Sequence, residues 1–405
     1  MIQLAKRSSS GGINSFRIHD LMHDLTKSLA EKGDFLSISV ENLSRVTRLR
    51  RLAVHFHSNL AANPGISSIS HLRSLLCFQM ENQLLPFRKF KLLRVLELEG
   101  ALITEWPKGI EKLIQLRYLG LRGTRLKRIP RSARNLRNLL TLDVKFTSID
   151  KLPDAIREMK ELRHLHANRY IVNSQIVESL INIQTLPMMQ ADAWMHEGLG
   201  ELTNLRKLGI SGDLSFCNKA LSSLVKLRSL RVEFGLGNTI LDLTSLSRNL
   251  VKLHLAMRLE KLPQVDQLPQ NLVKLSLRWS LLEEDPFPTM ERLQNLRTFI
   301  LGRGSFVGKK MVCSREGFPK LDFLKLDFLN DLEEWRVEEG ALPRLNHLVF
   351  QSCRRLKMLP EGLQHVTTLR MLEVSFMPDE FKARLQEDEG EDWRKIRHIS
   401  QLDIK

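Results

Sequence analysis

The side chains best able to do chemistry in this chain are few, and none completes a reactive centre. His19-Asp20-Leu21-Met22-His23 sets two imidazoles at i and i+4, so one helix face could offer both to a metal ion. Asp20 stands where a zinc peptidase of the HExxH type needs a glutamate base, and no third ligand is evident, so no metal is expected. Gly304-Ser305-Phe306-Val307-Gly308-Lys309-Lys310 has the ingredients of a phosphate-cradling loop. Its glycines stand one residue too close, however, and Lys310 occupies the place of the Ser or Thr that would meet magnesium. No GxSxG elbow occurs. Cys77, Cys217, Cys313 and Cys353 are scattered without a CxxC pair, which points to reduced thiols in a cytoplasmic (intracellular) protein and not to a disulfide frame or zinc site. The chain is therefore expected to be no enzyme and to need no cofactor of its own.

What remains is the framework. Aromatic residues make up 6% of the sequence, and leucine dominates the apolar set, which favours a regular aliphatic core. No stretch approaches the length of a membrane span, and the first residues lack the apolar run of a signal peptide. The formal charge of +16 is uneven: residues 41–170 hold 25 Lys/Arg against 11 Asp/Glu, whereas residues 171–405 hold 32 against 31. Such a basic region suits a solvated face or an acidic protein surface. Nucleic acid is not expected, because no nucleic-acid module accompanies the charge.

A repeat organises almost everything else. LxxLxL or a close variant recurs fifteen times, from Leu49-Leu52-Val54 through Leu93-Leu96-Leu98, Leu227-Leu230-Val232 and Leu296-Phe299-Leu301 to Leu369-Leu372-Val374, with successive first positions 21 to 25 residues apart. Residues two apart on a strand point the same way, so the second and third apolar residues of each motif face inward and the first closes the layer. One repeat cannot bury its leucines alone; stacking buries them. Pairs such as Ile129-Pro130 and Leu152-Pro153 turn the chain back, leaving room for a turn or 3₁₀ segment but not a long helix. The fold expected is an α/β leucine-rich-repeat solenoid, a horseshoe with parallel strands on its concave face, over residues 41–405 in about 15 repeats.

Residues flanking the inward leucines should point to solvent and form a protein-binding face: Tyr118, Arg122, Lys145, His166, Arg231, Lys252, Lys274, Arg278, Trp279 and Lys325. Phe146, Phe234, Trp279, Phe328 and Phe376 follow directly after strands. Aromatic and Arg side chains on a rigid surface bring large contact area for few rotors, although such rings can equally pack against the next coil.

Residues 1–40 do not carry the repeat. Ile2–Ala5 and Phe16–Ile18 read as strands around a Ser/Gly turn, and a helix is expected from about Asp20 to Glu31, ended by Gly33. A hairpin leading into a helix is the back half of a winged helix-turn-helix, so this region is read as a winged-helix remnant. The run Phe16-Arg17-Ile18-His19-Asp20-Leu21-Met22 resembles the "MHD" segment of plant intracellular nucleotide-binding leucine-rich-repeat disease-resistance receptors of the coiled-coil class. So do Asp331-Leu332-Glu333-Glu334-Trp335-Arg336-Val337, Cys353-Arg354-Arg355-Leu356 and Glu391-Asp392-Trp393 near the other end. The resemblance implies that His19 and Asp20 match residues sensing bound ADP or ATP. The nucleotide-binding domain that would hold the nucleotide is expected to precede this segment and is not in the sequence. It also implies a protein partner: a pathogen effector, a host protein, or the nucleotide-binding domain under autoinhibition. The alternative class is a general leucine-rich-repeat signalling scaffold of the phosphatase-regulator type.

Overall fold

A computed structural model describes residues 2–7, 13–18, 49–55, 65, 69–79, 85–169, 171–214, 217–233 and 241–405. Sixteen short strands, parallel and in chain order, carry the repeats, which divide into two compact units at Gly209/Ile210. Strands of the first unit run from Arg51–His55 to Thr185–Gln190. Those of the second run from Ser229–Glu233 to Gln401–Ile404, and Lys207–Ser211 lies at the boundary.

The leucine periodicity builds the core as expected. Leu52, Leu75, Leu96, Leu119 and Leu142 stack strand on strand in register, each essentially inaccessible. Burying one such side chain is worth about 1.5–3 kcal/mol, realised only where a neighbouring coil is present. On the return side, Pro130, Pro153 and Pro360 each precede a 3₁₀ turn, at Arg131–Asn135, Asp154–Glu158 and Glu361–His365. Proline fits there because its fixed φ suits a turn start where no N–H is needed.

Asparagines just ahead of the motif tie the coils together. Asn138, Asn182, Asn249, Asn271 and Asn295 each donate a side-chain hydrogen bond to a backbone carbonyl of the preceding coil, at 2.8–3.2 Å. Each satisfies a carbonyl that the turn leaves unpaired.

Two features depart from the fifteen motifs. The strand Gln401–Ile404 belongs to a further coil, with Ile399, Leu402 and Ile404 in the motif places. A second, two-stranded parallel sheet joins Lys310–Cys313 to Glu334–Val337. Trp335, at the centre of the receptor-like stretch, is 2% exposed and packs edge-on against Phe287 and Phe350.

The Glu391-Asp392-Trp393 stretch clamps the last coils. Asp392 and Lys395 are each 1% exposed and pair at 2.8 Å. Lys395 Nζ also donates to Leu359 O, while Asp392 Oδ2 accepts from Leu359 N and from Arg384 Nε. Burial alone would raise the Asp392 carboxyl, but the bonds from Arg384, Lys395 and the Leu359 amide outweigh it and hold the group below the usual carboxylate range.

Ile2–Arg7 and Ile13–Ile18 form a two-stranded sheet. The helix expected at Asp20–Glu31, and with it His19 and Asp20, lies outside the described residues, so the winged-helix reading is not confirmed.

Candidate functional site

The outward side of the strands is a grid, because parallel register aligns equivalent positions on neighbouring strands about 4.8 Å apart. The ten predicted face residues fall into two groups, one on each unit.

In the first unit the group is polar and densely paired. Tyr118 Oη donates to Glu97 Oε2 at 2.6 Å, and the Glu97 carboxylate overlies Gly120, where a Cβ would strike it at 2.1 Å. Arg122 lies 3.6 Å from Glu99 and 3.8 Å from Asp143, with its guanidinium 4.7 Å over the ring of Phe146. Asp143 accepts the amide of Lys145. The rings of His164 and His166 stand parallel, 6.4 Å apart. Burial, aided by nearby Glu99 and Asp143, raises the Glu97 carboxyl despite its hydrogen bonds from Tyr118 and Leu98; burial lowers both histidines.

The second unit presents a gradient along its strands. Arg231, Lys252, Lys274 and Arg278 occupy its first three strands, with His254 among them. Burial, then the charges of Arg231 and Arg278, push His254 down to about 4. Lys252 and Lys274 are direct cross-strand neighbours, and the Lys274 ammonium is lowered by burial and by Lys252. Next comes an apolar strip of Ile300, Phe323 and Val349, where His347 meets Phe323 edge-on at 4.9 Å. The last strands bring acid: Glu373, whose Oε1 lies 2.8 Å from His347 Nε2, and Asp403.

Lys325 corrects the expectation that every flanking residue reaches solvent. It is 8% exposed, directly between Ile300 and Val349, with its ammonium 2.6 Å from Gln351 Oε1. Asp327 beside it is 7% exposed. Bulky neighbours on strands so close together cover the long stem and much of the head. Burial raises the Asp327 carboxyl, against the pull of Lys325, Arg278 and Arg303.

Where several strands end, the backbone turns left-handed at the same repeat position: Gln79, Gly100, Gly123, Phe146, Trp279, Phe328, Ser352 and Phe376 all have φ between 53° and 69°. The amide of this residue usually donates to the next coil, as from Trp279 to Arg303 O at 2.7 Å and from Phe328 to Gln351 O at 2.8 Å. Glycine takes the conformation without cost; bulky residues there are strained outliers. Four of the aromatic residues singled out by sequence are these, and Phe234 lies outside the described residues. Phe146 and Phe376 are 67% and 70% exposed. Arg303, which sequence reading passed over, lies over both Trp279 and Phe328, at 5.1 and 5.3 Å from the ring centres. A lone arginine between glycines gives no periodic signal that would have marked it.

Parallel strands stacked on a leucine spine, with an open outward grid, define the class as a leucine-rich-repeat solenoid. The family model for a leucine-rich repeat region matches residues 71–404, and the chain belongs to that family. Its relatives include disease resistance protein RPP8 of Arabidopsis thaliana, 32% identical over 95% of this chain and 45% of that protein. They also include disease susceptibility protein LOV1 of the same plant, 37% identical over 95% of this chain and 44% of that one. The resemblance to plant disease-resistance receptors therefore holds; the chain spans about half the length of the curated relatives it matches. Among solved structures, a leucine-rich-repeat protein of Leptospira interrogans aligns over 91% of this chain and 99% of its own, at a TM-score of 0.59 and 20% identity. The plant peptide hormone receptor RGFR1 aligns over 89% of this chain and 63% of its own, at 0.53 and 14%. These two share the fold.

Proposed function

We propose that this chain is the recognition region of a plant defence receptor, binding a pathogen effector or a host protein that the effector alters, in the cytoplasm and without catalysis of its own. The gradient on the second unit carries this reading. Exposed Arg231, Lys252 and Arg278 at one end and the carboxylates of Glu373 and Asp403 at the other, held apart by a buried apolar strip, form a rigid surface with a defined polarity, which favours one docking orientation of a protein partner. The relatives' names support the defence setting. The test is a binding screen of the purified chain against secreted proteins of plant pathogens and their plant targets, repeated with Lys252→Glu and Arg278→Glu. A partner should be found whose affinity drops at least about tenfold in both variants, with melting temperature unchanged. A partner held equally well by both variants would overturn this face as the recognition surface.

The first unit supports the autoinhibitory contact. Arg50, Arg73, Arg94 and Arg117 precede consecutive strands, and all four are exposed. Guanidiniums spaced one strand apart repel each other and favour an acidic protein surface, here assigned to a nucleotide-binding domain of the resistance-receptor type. Mixing the two at low ionic strength should give a complex that weakens steeply from about 50 to 300 mM salt. Binding that ignores salt, or none at low salt, would refute this contact.

A further inference from the structure

The strand-end aromatics of the second unit do more than decorate an edge. Where three successive strands end, at Leu301, Asp327 and Gln351, the chain leaves a cavity of about 340 Å³ lined by Arg303, Phe328, Asn330, Asp331, Arg354 and Arg355. Three guanidiniums and one carboxylate therefore surround one small space. Arg355 Nη1 holds Asp331 Oδ1 at 3.0 Å. Arg303 is placed by ring faces, lying over Trp279 and Phe328, and among the described residues neither it nor Arg354 forms an ion pair. A guanidinium fixed flat on aromatic rings loses little freedom on binding and keeps its N–H edge available for a forked contact.

Two observations point to a ligand. One is placement: Arg303, lying across Phe328 and Trp279, lines the same small space as Arg354 and Arg355. The other is the charge. Three positive groups less Asp331 leave an excess of two, which a carboxylate would only half neutralise. A phosphate monoester at neutral pH carries about −1.5 to −2 and offers three acceptor oxygens to forked donors.

We propose that this strand-end pocket binds a phosphate monoester, gripped by Arg303, Arg354 and Arg355. The source is either a phosphorylated side chain of a protein or a free phosphate compound. Lys252 lies on a strand that contributes nothing to this pocket, so Lys252→Glu and Arg354→Gln separate the two readings: either can fail while the other stands.

The test is calorimetric titration of the full chain at low salt with inorganic phosphate, phenyl phosphate, a phosphotyrosine peptide and the same peptide with glutamate in its place. Phosphate-bearing probes should bind, and the glutamate peptide should bind at least about tenfold more weakly, because it supplies half the charge. Arg354→Gln should weaken binding at least about tenfold with no change in melting temperature, since this side chain is exposed. Arg303→Lys should also weaken it although the charge is kept, because an ammonium cannot fork while stacked. A phosphopeptide bound more tightly than phenyl phosphate identifies a modified protein as the source; equal affinity identifies a free compound. No binding of any phosphate probe at millimolar concentration overturns the proposal. So does binding unaltered in Arg354→Gln, or a glutamate peptide that binds as well as the phosphorylated one.

Discussion

The two repeat units share one backbone logic yet use their outward faces differently. In the first, Tyr118, Glu97, Arg122 and Asp143 form a half-exposed polar network whose charges largely answer one another. In the second, apolar residues and a lysine sink between the strands, while cations crowd one end and a buried ion cluster locks the other. The same alternation yields a wet face when the outward residues are short or paired, and a second, shallow core when they are large. Outward position on a strand therefore does not decide exposure; neighbour size across the ladder does.

The strongest way to break this comparison is to remove charge where it is buried and where it is wet. Asp392→Ala leaves the buried Lys395 ammonium with Glu361 as its one remaining carboxylate and takes an acceptor from Arg384 and from the Leu359 amide, and should cost about 3–5 kcal/mol in urea unfolding. Glu99→Ala, removing the half-exposed partner of Arg122, should cost no more than about 0.5 kcal/mol. Similar losses for the two would erase the distinction between the faces.

Acid should sharpen it next. His254 titrates near 4 when folded and near 6.5 when unfolded. Between those values the unfolded chain takes up a proton that the folded chain refuses, so stability is lost as pH falls from about 6.5 to 4. His254→Gln should flatten that part of the stability–pH curve; an unchanged curve would mean that neither burial nor the surrounding cations act on this ring. The pairing of Asp392 follows the same direction at lower pH, its contribution fading as pH falls through the depressed folded value.

The smallest effect concerns the strand ends. Phe376 is 70% exposed at φ 55°, so Phe376→Gly should gain up to about 1 kcal/mol by relieving the left-handed strain, whereas Phe376→Ala should not. A loss on going to glycine would show that the ring packs where the structure exposes it.

Much of this molecule could be read from leucines. Their spacing located fifteen strands and their inward residues, because a period of two on a strand leaves no second way to bury Leu96 and Leu98 together. The sixteenth strand escaped because Ile399 follows Leu369 by thirty residues; short helices at Asp379–Ala383 and Trp393–Ile396 take up the extra length. The sheet joining Lys310–Cys313 and Glu334–Val337 escaped because its four-residue strands fall within the loosened spacing. The candidate face was legible as a set of positions but not as an environment. Nothing local in Leu324-Lys325-Leu326 says that Ile300, Val349 and Gln351 will close over the lysine; register across three coils says it. Arg303 was invisible for the same reason, since its partners are rings one coil behind and one ahead.

The recurring left-handed residue carries a consequence for how such an array can change. Its amide is anchored by the adjoining coil whatever side chain it bears, as glutamine, glycine, phenylalanine, tryptophan and serine at this place attest. Each coil thus offers a socket that accepts almost any fitting, at most for a modest conformational toll, without disturbing the spine beneath. Variation can collect at these sockets and re-tune what the rim catches while the scaffold is inherited intact.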